Sequence, residues 1–303
     1  MERINSKTRL IGLIGKPLAH TFSPLKHNYC FAKLGLNYLY LPIEIERAEL
    51  KDTITAMKTL RYAGFNITFP YKIDIIDYLD SIDEQARAIG SVNCVKIVDG
   101  RLEGYNTDGI AYVSSLKAEV DDDICGLSFL LLGCGGAGRA IAVALAKNGV
   151  KGIALYDIDQ AKAVSLESAL REFTNAECYV VGSNSSELTE AIGESEVLIN
   201  ATALGMHPYE GISPVAAHDI KRGMIVSDIT YNPPMTRLLI DAESLGCQCL
   251  NGLGMAVYEG VESSRIWTGI EPSASDMQEI LDYQVRKLGE RTTTLPRAGG
   301  HLR

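Results

Sequence analysis

Residues that build metal centres and disulfide frameworks are scarce in this chain. Histidine occurs five times in 303 residues, and neither HExxH nor CxxC is present, so no resident metal is expected. The seven cysteines (Cys30, Cys94, Cys125, Cys134, Cys178, Cys247 and Cys249) are odd in number and scattered. That is unlike the paired cysteines of a small secreted scaffold. Basic charge is also short. With 29 Lys and Arg against 38 Asp and Glu, the net charge of −9 is the wrong sign for a nucleic-acid partner. No stretch reaches the roughly 18 to 20 apolar residues of a membrane helix. The opening MERINSKTRLIGLIG also lacks the apolar core of a secretory signal. The expectation is a cytoplasmic protein that partners neither membrane nor nucleic acid.

What is present is an alternation of short apolar runs and helical patterns, long enough for two domains. Leu10–Ile14 reads as a strand, followed by a helix whose N-cap is Ser23 and whose first position is Pro24. Tyr38–Ile45 and Phe65–Thr68 read as further strands, Glu49–Leu60 as a helix, and Lys72–Tyr78 as the start of another. This predicts an α/β unit with a largely parallel sheet. Beyond the charged stretch Asp121–Asp123, strands are expected at Ser128–Leu132, Gly152–Tyr156, Cys178–Val181, Val197–Asn200 and Met224–Asp228. Helical segments lie between them, which is the pattern of a doubly wound Rossmann domain. Two amphipathic helices, Ala256–Trp267 and Ser275–Leu288, are too few for a domain and should pack back on the first unit. The expected organisation is therefore α/β, with a discontinuous substrate domain (1–109 with 251–290) around a Rossmann domain (110–250). Residues 291–303 have no apolar periodicity and are expected to form a disordered tail.

Gly133, Gly135 and Gly138 form GxGxxG between the strand SFLLL and a helix. Such a loop lets backbone approach a pyrophosphate and offers it the free N–H groups of the helix N-terminus, here at Gly136, Ala137 and Gly138. Asp157 ends the next strand, where a carboxylate accepts from the adenosine ribose hydroxyls and repels a 2′-phosphate. No Arg follows it, only Ile158 and Asp159, so NAD is expected rather than NADP. Capping of the next helix is the structural alternative for Asp157 and Asp159.

Lys72 follows a buried-looking strand in GFNITFPYK, at a sheet edge where α/β proteins bind ligands. A desolvated lysine has a lowered pKa and can exchange a proton with an alcohol. Asp108, in the turn-like string GYNTDG, is its natural partner, although an aspartate there could simply shape the turn.

The ordered segments GKPLAHTFSPLKHN, GFNITFPYK, GSVNCV, GYNTDG, GCGGAGRA, NATALGM and NGLGMAVYEG resemble the motifs of shikimate dehydrogenases. The resemblance implies a substrate domain and a Rossmann domain flanking a cleft, with Lys72 and Asp108 as the catalytic pair. It places Thr21 and Ser23 on a substrate carboxylate, and Thr68, Asn93, Tyr231 and Glu259 around the ring. Thr202 and Gly254 join the glycine loop and Asp157 in the cofactor set. The implied reaction is oxidation of a ring hydroxyl of shikimate or quinate, the partner being a small ring carboxylate; a homodimer is an open option. Asp157-Ile158-Asp159 stands where NADP-specific members carry Asn-Arg-Thr, so the sequence is more similar to the NAD-using quinate/shikimate branch. Glu259 stands where the family has Gln. An ionised carboxylate only accepts, which opens several readings: a donor-rich ring such as aminoshikimate, an ordinary hydroxyl from which it accepts, or a nearby Lys or Arg that pairs with it. A ligand-binding module without turnover is the alternative outside enzymes.

Overall fold

The computed structural model describes residues 4–19, 21–120, 123–172 and 174–294, with side chains up to 287. It contains two six-stranded sheets. The first is built from β1 (Arg9–Gly15), α1 (Ser23–Lys33), β2 (Tyr38–Glu44), α2 (Leu50–Thr59) and β3 (Gly64–Ile67). Then follow β4 (Ser81–Ile82), α3 (Glu84–Ile89), β5 (Cys94–Val98) and β6 (Arg101–Tyr105). Its strand order is β2-β1-β3-β5-β6-β4. β1 pairs in parallel with β2 and β3, whereas β5 runs antiparallel to both β3 and β6. β4 pairs in parallel with β6, so three of the five pairings are parallel, and the largely parallel expectation is modified only at β5. The β5–β6 hairpin turns on Asp99 and Gly100, both at positive φ, as a two-residue turn requires.

Helix α4 (Asp108–Glu119) leads into the second sheet. This comprises β7 (Ser128–Leu132), α5 (Gly136–Lys147), β8 (Gly152–Tyr156), α6 (Gln160–Arg171), β9 (Glu177–Val180), α7 (Ser185–Glu194) and β10 (Val197–Asn200). β11 (Ile225–Asp228), α8 (Arg237–Ser244) and β12 (Gln248–Leu250) complete it. All its pairings are parallel, in the order β12-β11-β10-β7-β8-β9. Helices cover both faces, which is why SFLLL and VLIN are continuous apolar runs rather than alternating ones. The alanine-rich α5 lies close on the sheet, its Ile141 and Leu145 packing with Leu131 and Ile153.

Helices α9 (Leu253–Thr268) and α10 (Ala274–Thr294) pack against α1 of the first unit. Trp267 donates its indole N–H to the Val95 carbonyl at 3.0 Å, and Tyr283 stacks on Tyr29 of α1 with centroids 3.9 Å apart. The helix runs through Thr294, so residues 291–294 are helical where a frayed tail was expected. The remainder of that tail, and Asp121 and Asp122 of the charged stretch, lie outside the described residues. Two local expectations are corrected. Ser23 is the first helical residue rather than the cap, Phe22 holding that place, and Pro24 still occupies the first turn. Lys72–Tyr78 forms only a short 3-10 turn, Asp74–Tyr78, without a full helix.

Candidate active site

Lys72 lies five residues past the end of β3 at Ile67, beyond Pro70. Its ammonium lies 2.7 Å from Asp108 Oδ2, with the lysine side chain 28% exposed and the aspartate 9%. Asp108 is not in a free turn but opens α4, where a negative charge suits the helix N-terminus. Its second oxygen accepts from the Asn93 amide at 2.7 Å, and its backbone N–H donates to Asn106 Oδ1 at 3.0 Å. Asn106 is anchored by donating to Ser91, and Asn93 also bonds Thr107, both across about 3 Å. Both carboxylate oxygens are thus fixed by separate donors, and the aspartate has little freedom to rotate away from Lys72.

Burial pulls the Lys72 pKa down, but the charge and hydrogen bond of Asp108, with Glu259 at longer range, outweigh it. The net direction is up from the ordinary 10.5. This corrects the expectation of a lowered lysine pKa. A carboxylate in contact with the ammonium wins over desolvation.

The polar layer continues away from this pair. Asn66 donates to the Asn93 carbonyl at 3.0 Å and to Ser263 at 3.2 Å, and accepts from the Tyr40 hydroxyl at 2.9 Å. Ser23 is a further hydrogen-bond partner of Tyr40, and Thr21 accepts from the Ser23 backbone at 3.2 Å. Thr68 follows β3, its N–H on the Ile14 carbonyl and its methyl facing Gly15. Asn93, Asp108 and Lys72 are therefore in direct contact, and Ser23 is linked to them through Tyr40 and Asn66. Tyr231 packs edge-on against Phe22, 6.2 Å between centroids, and belongs to a small apolar cluster with Leu253. Glu259 pairs with Lys26, its Oε2 lying 2.6 Å from the ammonium. Asn66, Tyr40 and Lys26 went unnoticed in the sequence. The asparagine inside the apolar strand GFNI was the available signal, because a buried amide has to find partners.

The cofactor set gathers at the carboxyl ends of the second sheet, with Gly254 apart on α9 against Ser115. Gly133 takes a φ of 95°, and any Cβ at Gly138 would strike the Gly133 carbonyl, so the turn from β7 into α5 closes tightly. A Cβ at Gly135 or Gly136 would instead meet open space, the room a pyrophosphate needs. Asp157 accepts from the Cys134 N–H at 2.8 Å and the Asp159 N–H at 2.9 Å, bracing the glycine loop. Asp159 is the N-cap residue of α6 but makes no side-chain cap bond. Thr202 donates to Asn200 Oδ1 at 2.7 Å, and Asn200 is held by the buried Asp228 at 3.0 Å. Arg139, the first arginine after the loop, is committed to the Ile89 carbonyl at 3.0 Å. Ile158 is 89% exposed beside Asp157, an apolar face suited to an adenine. These residues fit a nicotinamide dinucleotide.

The two assemblies meet through α4. Gly109 lets its first turn press onto Ala140 of α5, whose N-terminus carries the glycine loop.

Comparison with known proteins agrees with this geometry. A shikimate dehydrogenase substrate binding domain model matches residues 13–95. Shikimate dehydrogenase (NADP(+)) of Methanococcus maripaludis is 40% identical over 285 residues, 93% of this chain and 100% of the relative. The chain belongs to the shikimate dehydrogenase family. Among solved members, shikimate 5-dehydrogenase from Listeria monocytogenes, in complex with shikimate and NAD, superposes with a TM-score of 0.86 at 39% identity. The alignment covers 93% of this chain and 99% of that one. Quinate dehydrogenase from Corynebacterium glutamicum, in complex with NAD, gives a TM-score of 0.82 at 32% identity, covering 91% and 99%. Among the described residues, no helix is long and apolar enough to cross a membrane, and no cluster of His, Cys, Asp or Glu could hold a metal ion.

Proposed function

We propose that this family member is a NAD-linked dehydrogenase that interconverts a ring hydroxyl of shikimate or quinate with the ketone, 3-dehydroshikimate or 3-dehydroquinate. The observation that carries the reading is the Lys72–Asp108 contact of 2.7 Å, with the aspartate clamped by Asn93 beside the dinucleotide loop. When bound, the nicotinamide supplies the hydride acceptor for oxidation and the hydride donor for reduction. Lys72 handles the accompanying proton. As an ammonium it donates to the ketone oxygen and stabilises the charge that gathers there; as a neutral amine it takes the proton of the hydroxyl. Asp108 holds the lysine in place and balances its charge. Thr21 and Ser23 hold the ring carboxylate, while Thr68, Asn93, Tyr231 and Glu259 surround the ring. The glycine loop, Thr202 and Gly254 hold the dinucleotide.

NAD is favoured over NADP by the Asp157 carboxylate, by the engagement of Arg139 elsewhere and by the exposed Ile158, although curated relatives carry NADP(+) in their names. The Lys26–Glu259 pair also favours a hydroxyl ring over an amino-substituted one, because the Glu259 charge already has a partner.

Turnover of shikimate, quinate and aminoshikimate, each with NAD and with NADP, tests the reading. The expected outcome is NADH formation with shikimate or quinate, at a kcat/KM at least tenfold that with NADP. Preference for NADP sinks the cofactor assignment, and absence of turnover across the panel sinks the enzyme.

A further inference from the structure

Lys26 is an unusual residue for its position. It lies in α1, only 5% exposed, and its stem crosses α9 at Gly260. A Cβ at Gly260 would come within 2.8 Å of Lys26 Cε and 2.9 Å of Cδ, so the glycine is what lets the lysine through. At the far side the ammonium meets Glu259 Oε2 and the Ala256 carbonyl, each at 2.6 Å. Glu259 is 22% exposed, and among the described residues its Oε1 takes no hydrogen bond. The same carboxylate is close enough to Lys72 to help raise its pKa.

We propose that Lys26 is a positioning residue that makes Glu259 a fixed, charge-compensated acceptor on the wall of the substrate pocket, selecting rings with a hydrogen-bond donor there. The inference rests on the proposed ring-acid function. A carboxylate next to an anionic substrate would repel it; the buried ammonium cancels that repulsion without pointing a competing donor at the ring. Glu259 Oε1 is left to accept from a hydroxyl that does not itself react. An amide in its place would bind donors and acceptors alike. A site built to accept from a hydroxyl rejects an analogue lacking the donor, because a charged group is then left desolvated and unpaired.

The test compares kcat and KM for shikimate with its analogues in which each non-reacting hydroxyl is replaced by fluorine in turn. In the wild type, one analogue should lose at least about 100-fold in kcat/KM. In the Lys26→Met/Glu259→Gln double variant, that loss should shrink by at least about tenfold. Lys26→Met alone should raise the KM for shikimate about tenfold or more with a smaller change in kcat, and adding Glu259→Gln should restore KM to within about threefold. Should the single variant fail to fold, the fluorine comparison in the double variant and in Glu259→Gln still decides. An unchanged fluorine ratio, or a KM that Glu259→Gln does not restore, overturns the proposal while leaving the dehydrogenase reading intact. A wild type that turns over no ring acid removes the function itself, and the inference with it.

Discussion

Lys72 illustrates how far single residues could be read. Its place after a buried strand, and Asp108 as its partner, were legible from residue type and position. The direction of its pKa was not, because burial and the carboxylate's charge oppose each other, and their balance depends on a distance that a sequence does not contain. At 2.7 Å the carboxylate prevails. Lys72→Ala should lower kcat by about 100-fold or more with little change in KM, since the ammonium acts on charge that develops only in the transition state. Steady-state kinetics with saturating NAD would show it, and a variant retaining a tenth of the activity would remove Lys72 from the mechanism. The raised pKa also sets a pH dependence. Oxidation of the hydroxyl needs the neutral amine, so its rate should climb with pH up to and beyond 10.5, and Asp108→Asn should move that climb to lower pH. Stability follows the same sign. The pair's contribution is complete below the lysine's ordinary pKa and fades as pH rises through the higher folded value. Alkaline melting curves of the wild type and Asp108→Asn should therefore converge only as the pH rises past the raised pKa of Lys72, above its ordinary 10.5.

Among the elements, the second sheet was the more legible because its central strands β7, β8 and β10 are buried and stand out as unbroken apolar runs, whereas the half-exposed edge strand β12, QCL, was not foreseen. The first sheet was not. CVKIV and RLEGY do not stand out as apolar runs because Lys96 and Glu103 interrupt them at partly exposed positions. Their joint at Asp99-Gly100 is nevertheless a strong hairpin signal, and it marks the antiparallel pairing of β5 with β6. Lys26 was hidden for the opposite reason, since a lysine amid a helix usually lies in solvent. The tight turn between β7 and α5 gives an element-level prediction. Gly138→Ala places a methyl against the Gly133 carbonyl and must push α5 away from the sheet. The KM for NAD should rise by about tenfold or more and the melting temperature should fall by several degrees. Titration of NAD binding by fluorescence, together with calorimetry, would check both, and unaltered NAD affinity would mean that the loop does not hold the pyrophosphate.

Taken as a whole, the molecule divides its tasks between two sheets joined through α4. The alternation of strand and helix patterns was enough to foresee a substrate-binding unit and a Rossmann unit. What could not be foreseen is how near the parts come, because that depends on single close approaches such as Gly109 against Ala140. The division has a consequence for redesign. Asp157 is bonded to Cys134 and Asp159 within the second sheet's loops, whereas Glu259 is bonded to Lys26 between α1 and α9. The residues proposed to choose the coenzyme and those proposed to choose the ring thus share no partner. Changes at the two places should multiply in kcat/KM, with their free energies adding to within about 0.5 kcal/mol. Combining Asp157→Ser/Ile158→Arg with Lys26→Met/Glu259→Gln, and assaying both cofactors on both rings, would measure that independence. Such a chain could acquire a new electron carrier without relearning its substrate, each specificity open to change in its own time.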